Sequence, residues 1–166
     1  MASTAFQNCM PFVMRWEGGF VDHPDDPGGR TNRGVTQRVY NEWRARQGLY
    51  PQDVKRIGEA EVLAIYEASY WLPPRCDLLH NPLDLVQFDT AVNMGVGRAV
   101  RFLQRCVGCK DDGDFGPTTE KAVTTCDAAA TLSAYCDARE AYYRRLAETK
   151  PKLKWPATIS LTGRQK

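Results

Sequence analysis

The chain has 166 residues, 43% of them apolar and 25% charged, which is the make-up of one folded domain with a sizeable core and excludes a disordered chain. Its 22 basic and 20 acidic residues leave a net charge of +2, well short of the basic footprint of a nucleic-acid binder, so no nucleic-acid partner is expected. No apolar run approaches the roughly 18 residues needed to span a bilayer, and stable membrane insertion is not expected.

The start, Met1 to Asn8, lacks the basic end and apolar centre of a signal peptide. The expectation is synthesis in the cytoplasm without a classical signal peptide. Apolar residues at Phe6, Met10, Val13 and Met14 predict an amphipathic helix over Ala5 to Trp16 that stops at Gly18-Gly19, with Pro11 marking a kink or a later start. From Phe20 to Gly34 come two prolines, three glycines and three aspartates, which is loop and turn chemistry with room for a short hairpin. Helical periodicity then returns over Thr36–Gln47, Gly58–Trp71, Leu83–Met94 and Arg98–Cys106, each broken by Gly, Pro or Asn. Pro117 is well placed as a first helical residue, and one long helix is expected from there to about Lys150, with Pro151 as its stop. The tail from Lys152 has no periodicity and is expected to be a partly ordered extension.

Six cysteines, at 9, 76, 106, 109, 126 and 136, would suit three disulfides in a small secreted protein. Without a signal segment, thiols are expected instead. Cys106 and Cys109 have the separation of a zinc half-site. Cys126 and Cys136 lie ten residues apart on what reads as one helix, and a rise of about 1.5 Å per residue puts them too far apart to bridge or to share a metal. Neither a metal site nor a cofactor is expected.

Chemistry concentrates in the stretch from Glu17 to Thr36. Glycoside hydrolysis needs a carboxylic acid still protonated near neutral pH, and a second polar group across the sugar. Glu17 follows Met14 and Trp16 at the apolar end of a helix, where desolvation disfavours the charged form, and Gly18-Gly19 leaves it uncrowded. A solvated glutamate before a helix stop reads the same way. Asp26 is equally a turn-forming residue before Pro27-Gly28, and Thr31 or Thr36 equally a helix cap. Tyr66, Tyr70 and Trp71 have the helical spacing of core residues, yet sugar rings stack on exposed aromatic faces, which makes Tyr70 first choice and Tyr66 second for a groove. His23 is a candidate for lining the cleft. Asp89 and Asn93, one helical turn apart, are expected to brace the loop through buried hydrogen bonds.

The order Glu17-Gly18-Gly19-Phe20-Val21, then Asp26-Pro27-Gly28-Gly29-Arg30-Thr31-Asn32-Arg33-Gly34-Val35-Thr36, resembles the signature of the glycoside hydrolase family 108 muramidases. Ile65-Tyr66 with Tyr70-Trp71 resembles that family's aromatic segment, and Phe88-Asp89-Thr90-Ala91-Val92-Asn93-Met94-Gly95 its D-x-A-V-N-x-G helix. Arg98-Ala99-Val100 to Gln104, followed by Asp112-Gly113-Asp114-Phe115-Gly116-Pro117-Thr118, resembles a type-3 peptidoglycan-binding region.

The resemblance implies a mainly α, lysozyme-like fold with a small loop or hairpin segment after the catalytic glutamate and a long C-terminal helix. It divides the chain into a catalytic region, 1–95, and a peptidoglycan-binding helical region, 96–166, packed as one body. It also implies an endolysin-type muramidase that cuts the β-1,4 bond between N-acetylmuramic acid and N-acetylglucosamine, with Glu17 as general acid. Phage-type lysozymes, which the family resembles in fold, add an aspartate and a threonine; Asp26, nine residues after Glu17, matches the first. Thr31 follows Asp26 by five residues, one fewer than that pattern. The implied partner is the peptidoglycan polysaccharide, met in the wall or periplasm after release or export, by a monomer. The alternative is a non-catalytic peptidoglycan-binding or secretion-accessory protein.

Overall fold

The computed structural model describes residues 3–15, 19–21 and 30–149. They fall in two compact units, divided between Ser69 and Tyr70.

The first unit opens with helix α1 (Thr4–Met14), whose buried residues Phe6, Cys9, Met10 and Val13 follow the three-and-four spacing of one helical face. Ser3 caps it, its hydroxyl accepting from the Phe6 amide at 3.2 Å. Pro11 neither delays the start nor breaks the helix, which begins seven residues before it. Two short strands, β1 (Thr31–Asn32) and β2 (Val35–Thr36), pair Thr31 with Thr36 and Asn32 with Val35. Arg33 and Gly34 are left as a two-residue turn with φ of 50° and 75°. Positive φ at both turn positions matches the right-handed twist of the flanking strands. Helix α2 (Gln37–Arg46) follows at once, capped by the Thr36 hydroxyl, which accepts from Val39 N at 3.3 Å. A 3₁₀ turn, Val54–Arg56, leads to α3 (Glu59–Tyr66). The expected helix Gly58–Trp71 is α-helical only to Tyr66; its last part, Glu67–Trp71, widens into a π-helical turn.

In the second unit α4 (Leu83–Met94) has the expected bounds, and α5 (Val96–Cys106) starts two residues before the expected Arg98. Eight of the twelve residues of α4 are buried, polar Asp84, Gln87, Asp89 and Thr90 among them, so this helix is enclosed on nearly every side. It packs against α5 and against α7 (Ala128–Thr149). Leu79, Leu83, Val86, Phe102, Leu103 and Tyr135 form the apolar centre. The buried Tyr135 hydroxyl donates to Gln87 Oε1 at 2.7 Å, with the Ala99 carbonyl at 3.1 Å, tying α7 to both neighbours.

The Asp112-Gly113-Asp114 stretch folds around buried Gln104. Its amide nitrogen donates to Asp112 Oδ1 and the Asp114 carbonyl, both at 2.9 Å, and its oxygen accepts from Gly113 N at 2.9 Å. Glycine is required at 113: φ is 84°, and a Cβ there would stand 3.0 Å from the Gly97 carbonyl.

The single helix expected from Pro117 to about Lys150 is two. Helix α6 (Pro117–Thr125) stops at Cys126, and Asp127 starts α7 by accepting from Ala130 N at 2.9 Å. Thr124 and Thr125 turn their hydroxyls back onto the Lys121 carbonyl at 2.9 and 3.0 Å, the local competition with backbone bonds that favours helix ends. Cys126 and Cys136 therefore do not share a helix, which removes the geometric ground on which their pairing was dismissed. None of the six cysteines is paired in this structure; burial, with Cys136 adding to it, pushes Cys106 up to about 11. The architecture is mainly α and lysozyme-like, with a small hairpin after position 17 and a 22-residue C-terminal helix.

Candidate active site

The hairpin after α1 carries two of the candidate site residues, Thr31 and Thr36. Val21 and Thr31 exchange both backbone bonds, N to O at 2.8 and 2.9 Å, so the two ends of the stretch that carries Asp26 in the sequence are pinned together. On the other side the strands are held by the 52–55 segment. Asn32 Nδ2 donates to the Val54 and Lys55 carbonyls at 3.1 and 3.2 Å. Gln37 donates to the Gln52 carbonyl and accepts from Val54 N, both at 2.8 Å. Arg30 pairs with Asp53 at 2.9 Å. A two-stranded ribbon is marginal alone; these amide and guanidinium bonds, together with buried Val35, fix it.

Behind the hairpin, α2 and α3 are joined through Glu61. Its carboxylate accepts from Tyr40 Oη and Arg44 Nη1, both at 2.6 Å, and from Gly58 N at 3.0 Å. Burial alone would raise the Glu61 carboxyl, but the Tyr40 hydroxyl, the Gly58 amide and the Arg44 charge outweigh it and hold it below the usual range. The same contact raises Tyr40, burial first and Glu61 second. Neither residue was singled out in the sequence, where 21 positions separate them.

Of the residues expected to act, Glu17, Asp26 and His23 lie outside the described residues, as does the tail from Lys152. Thr31 stands half-buried in β1. Thr36 is the α2 cap, a role its hydroxyl fills through Val39. Tyr66 is corrected as a groove residue. Only 1% of it is exposed, so its ring has no free face for a sugar, and its hydroxyl donates to the Arg33 carbonyl at 3.2 Å. It therefore shapes the hairpin turn from beneath. Tyr70 is half-buried and begins the second unit, whereas Thr31, Thr36 and Tyr66 are gathered in the first. Trp71 is fully buried, edge-on to Phe88 with ring centroids 5.4 Å apart.

Asp89 also braces a different partner from the one expected. It accepts from Asn93 Nδ2 at 3.1 Å, but its other oxygen is bound by Arg139 of α7 rather than by the loop. Among the described residues no group of three or more His, Cys, Asp or Glu side chains is placed to hold a metal ion, and no helix is long and apolar enough to cross a membrane.

Comparison with known proteins decides the family. The family model described as Glycosyl hydrolase 108 matches residues 10–95. The chain belongs to that family. A second model, described as Predicted Peptidoglycan domain, matches residues 98–159 of the hydrolase. Among solved structures it is similar to the structure of Brucella abortus SagA, at 35% identity over 91% of this chain and 87% of that one, with a TM-score of 0.72. No curated protein matches it.

This glycoside hydrolase is thus a peptidoglycan hydrolase, and peptidoglycan is its ligand. The two family matches meet near residue 96, whereas the compact units divide at 69. Helix α4 accordingly falls within the hydrolase match yet packs on α5 and α7. The Asp112-Gly113-Asp114 motif lies within the peptidoglycan match and serves the fold, through Gln104.

Proposed function

We propose that the protein is a muramidase that cleaves the β-1,4 bond between N-acetylmuramic acid and N-acetylglucosamine, with Glu17 as the general acid. The observation that carries this reading is the Glu17-Gly18-Gly19 step, which begins three residues past the last residue of α1 in the sequence, inside the stretch matched by the hydrolase family. An acid there follows the apolar Met14 and Trp16, a setting that keeps a carboxyl protonated for donation to the leaving oxygen. Asp26 and Thr31 hold the attacking water on the far face of the sugar, an inverting arrangement that calls for carboxylates about 6.5–9.5 Å apart. Tyr70, His23 and Thr36 complete the contacts to the glycan. Residues 1–95 cut and residues 96–166 grip the polymer, in a monomer.

Glu17→Gln tests the reading, because the amide keeps the shape and loses the proton. The variant should release reducing ends from purified peptidoglycan about 10²–10⁴-fold more slowly than wild type. Equal release by the two proteins would sink the assignment, and a retained anomeric configuration in the product would sink the inverting scheme.

A further inference from the structure

We propose that the trough between α1 and α3 in the first unit is a subsite for the stem peptide of peptidoglycan, with Arg33 and Glu59 reading its charges. This rests on the muramidase reading above and extends it from the sugar chain to the peptide the sugar carries.

The trough has a volume of about 380 Å³, within the range of ligand pockets, about 300–1,000 Å³. Its floor is apolar, from Met10, Met14, Val62 and Leu63, with Arg33 and Glu59 also lining it. None of the described lining residues is aromatic, so none of them offers the stacking face that sugar sites use. An apolar floor with one cation and one anion instead suits a short peptide that alternates methyl-bearing, carboxylate and ammonium groups. That is the chemistry of a stem peptide with a diamino acid at its third position.

Two further observations single out Arg33. Its backbone sits at φ 50°, a conformation that non-glycine residues seldom adopt, and the Tyr66 hydroxyl on its carbonyl holds it there. Among the described residues its guanidinium makes no hydrogen bond or ion pair, whereas that of Arg75, the other non-glycine at positive φ, forks onto Asp77 at 3.1 and 3.3 Å. A strained turn that presents an uncommitted planar cation to an apolar trough is suited to bidentate capture of a carboxylate. Glu59, in the first turn of α3, presents the opposite charge to an ammonium group. Met14 lies three residues before Glu17 in the chain, so the peptide trough and the acid belong to one stretch of sequence.

The first test measures reducing-end release from intact peptidoglycan and from the same polymer stripped of stem peptides by an amidase. Wild type should show an apparent KM about tenfold lower on the intact polymer. Arg33→Ala should bring that ratio close to one, while Arg38→Ala, an exposed arginine paired with Glu42 at 2.8 Å, should keep it. A wild-type ratio of one, or a ratio unchanged in Arg33→Ala, overturns the proposal. If wild type cuts neither polymer, the hydrolytic reading has failed, and the subsite is then judged by binding alone. For that, N-acetylmuramyl-L-alanyl-D-isoglutamyl-L-lysine is titrated into wild type with the methionine methyl signals followed by NMR. Met10 and Met14 should shift and Met94, in α4, should not; N-acetylmuramic acid alone should move none of them. Glu59→Gln should weaken binding of the lysine-ended probe severalfold and leave binding of the dipeptide form unchanged. Absence of shifts at Met10 and Met14 overturns the proposal whatever the activity.

Discussion

The two compact units solve the same problem, joining helices through charge, in opposite ways. In the first, Arg44 and Glu61 are 14% and 22% exposed and share their bonds with a tyrosine, a backbone amide and a carbonyl. Water still reaches the pair, so its Coulomb gain is screened, and its several hydrogen bonds outweigh the cost of burying Glu61. In the second, Asp89 and Arg139 are 5% and 3% exposed, with Asn93 and the Tyr143 ring, 5.8 Å from the guanidinium, as further company. There each ion is desolvated, and each depends on the other for compensation. The first arrangement tolerates loss of a partner; the second does not.

The largest expected effect tests that difference directly. Asp89→Ala leaves the Arg139 charge buried without its carboxylate and should destabilise the second unit by about 3–5 kcal/mol. Glu61→Gln keeps the shape of the first network and lets water take up the slack, so it should cost only about 1 kcal/mol. Urea unfolding followed through amide signals of each unit measures both. Equal losses would break the comparison. The double change Asp89→Leu with Arg139→Met should recover most of what Asp89→Ala loses, since neither charge is then left buried.

The same contrast bears on how much could be read before any coordinates. Helices α2, α4 and α5 follow from apolar periodicity because their caps and stops, Thr36, Gly95 and Gly108, stand beside them in the chain. Periodicity misreads the 117–149 region because the alanine-rich run after Asp127 reads as continuous helix, and the cap that divides it is one aspartate. Spacing does give Tyr66 as a core residue, which its burial bears out; the groove role rested on the chemistry of its ring and not on periodicity. The charged ties were invisible for another reason. Glu61 meets Arg44 across 17 residues and Asp89 meets Arg139 across 50, and a single sequence carries no signal for pairing at such distances. The proposed acid is singled out the other way round: Glu17 stands out by its Gly-Gly step and its place within the hydrolase match, not by its surroundings.

Acid separates the units next, and the signs run opposite. Glu61 has its folded carboxyl held below the unfolded value of 4.5, so the stability it contributes is complete above that pH and is lost as pH falls through the folded value. Asp89 is shifted up from 3.8 by burial, with the Arg139 charge pulling it part of the way back. The stability linked to Asp89 is therefore present below 3.8 and lost as pH rises through its raised folded value. On acidification below about pH 4.5 the first unit should lose amide protection before the second, and Glu61→Gln should narrow the gap by removing the carboxyl that titrates. Loss of protection in the second unit first would reverse the assignment of the acid-sensitive tie.

The smallest expected effect concerns the two arginines that stand at positive φ among the described residues, one in each unit. Arg75 and Arg33 carry similar backbone strain, at φ 54° and 50°, but only Arg75 has its guanidinium on a carboxylate among the described residues. Glycine at either position relieves the strain, less the extra freedom that glycine gives the unfolded chain. Arg33→Gly should therefore stabilise the first unit by about 0.5–1 kcal/mol, while Arg75→Gly also gives up a partly exposed ion pair and should be close to neutral. Urea midpoints at unchanged slope read the difference. The stabilised Arg33→Gly protein should also bind the lysine-ended muramyl tripeptide more weakly, so that stability and peptide recognition move in opposite directions at one residue. A substitution that lowered both would make Arg33 an ordinary structural residue of the turn, with its strain offset inside the fold rather than by a ligand.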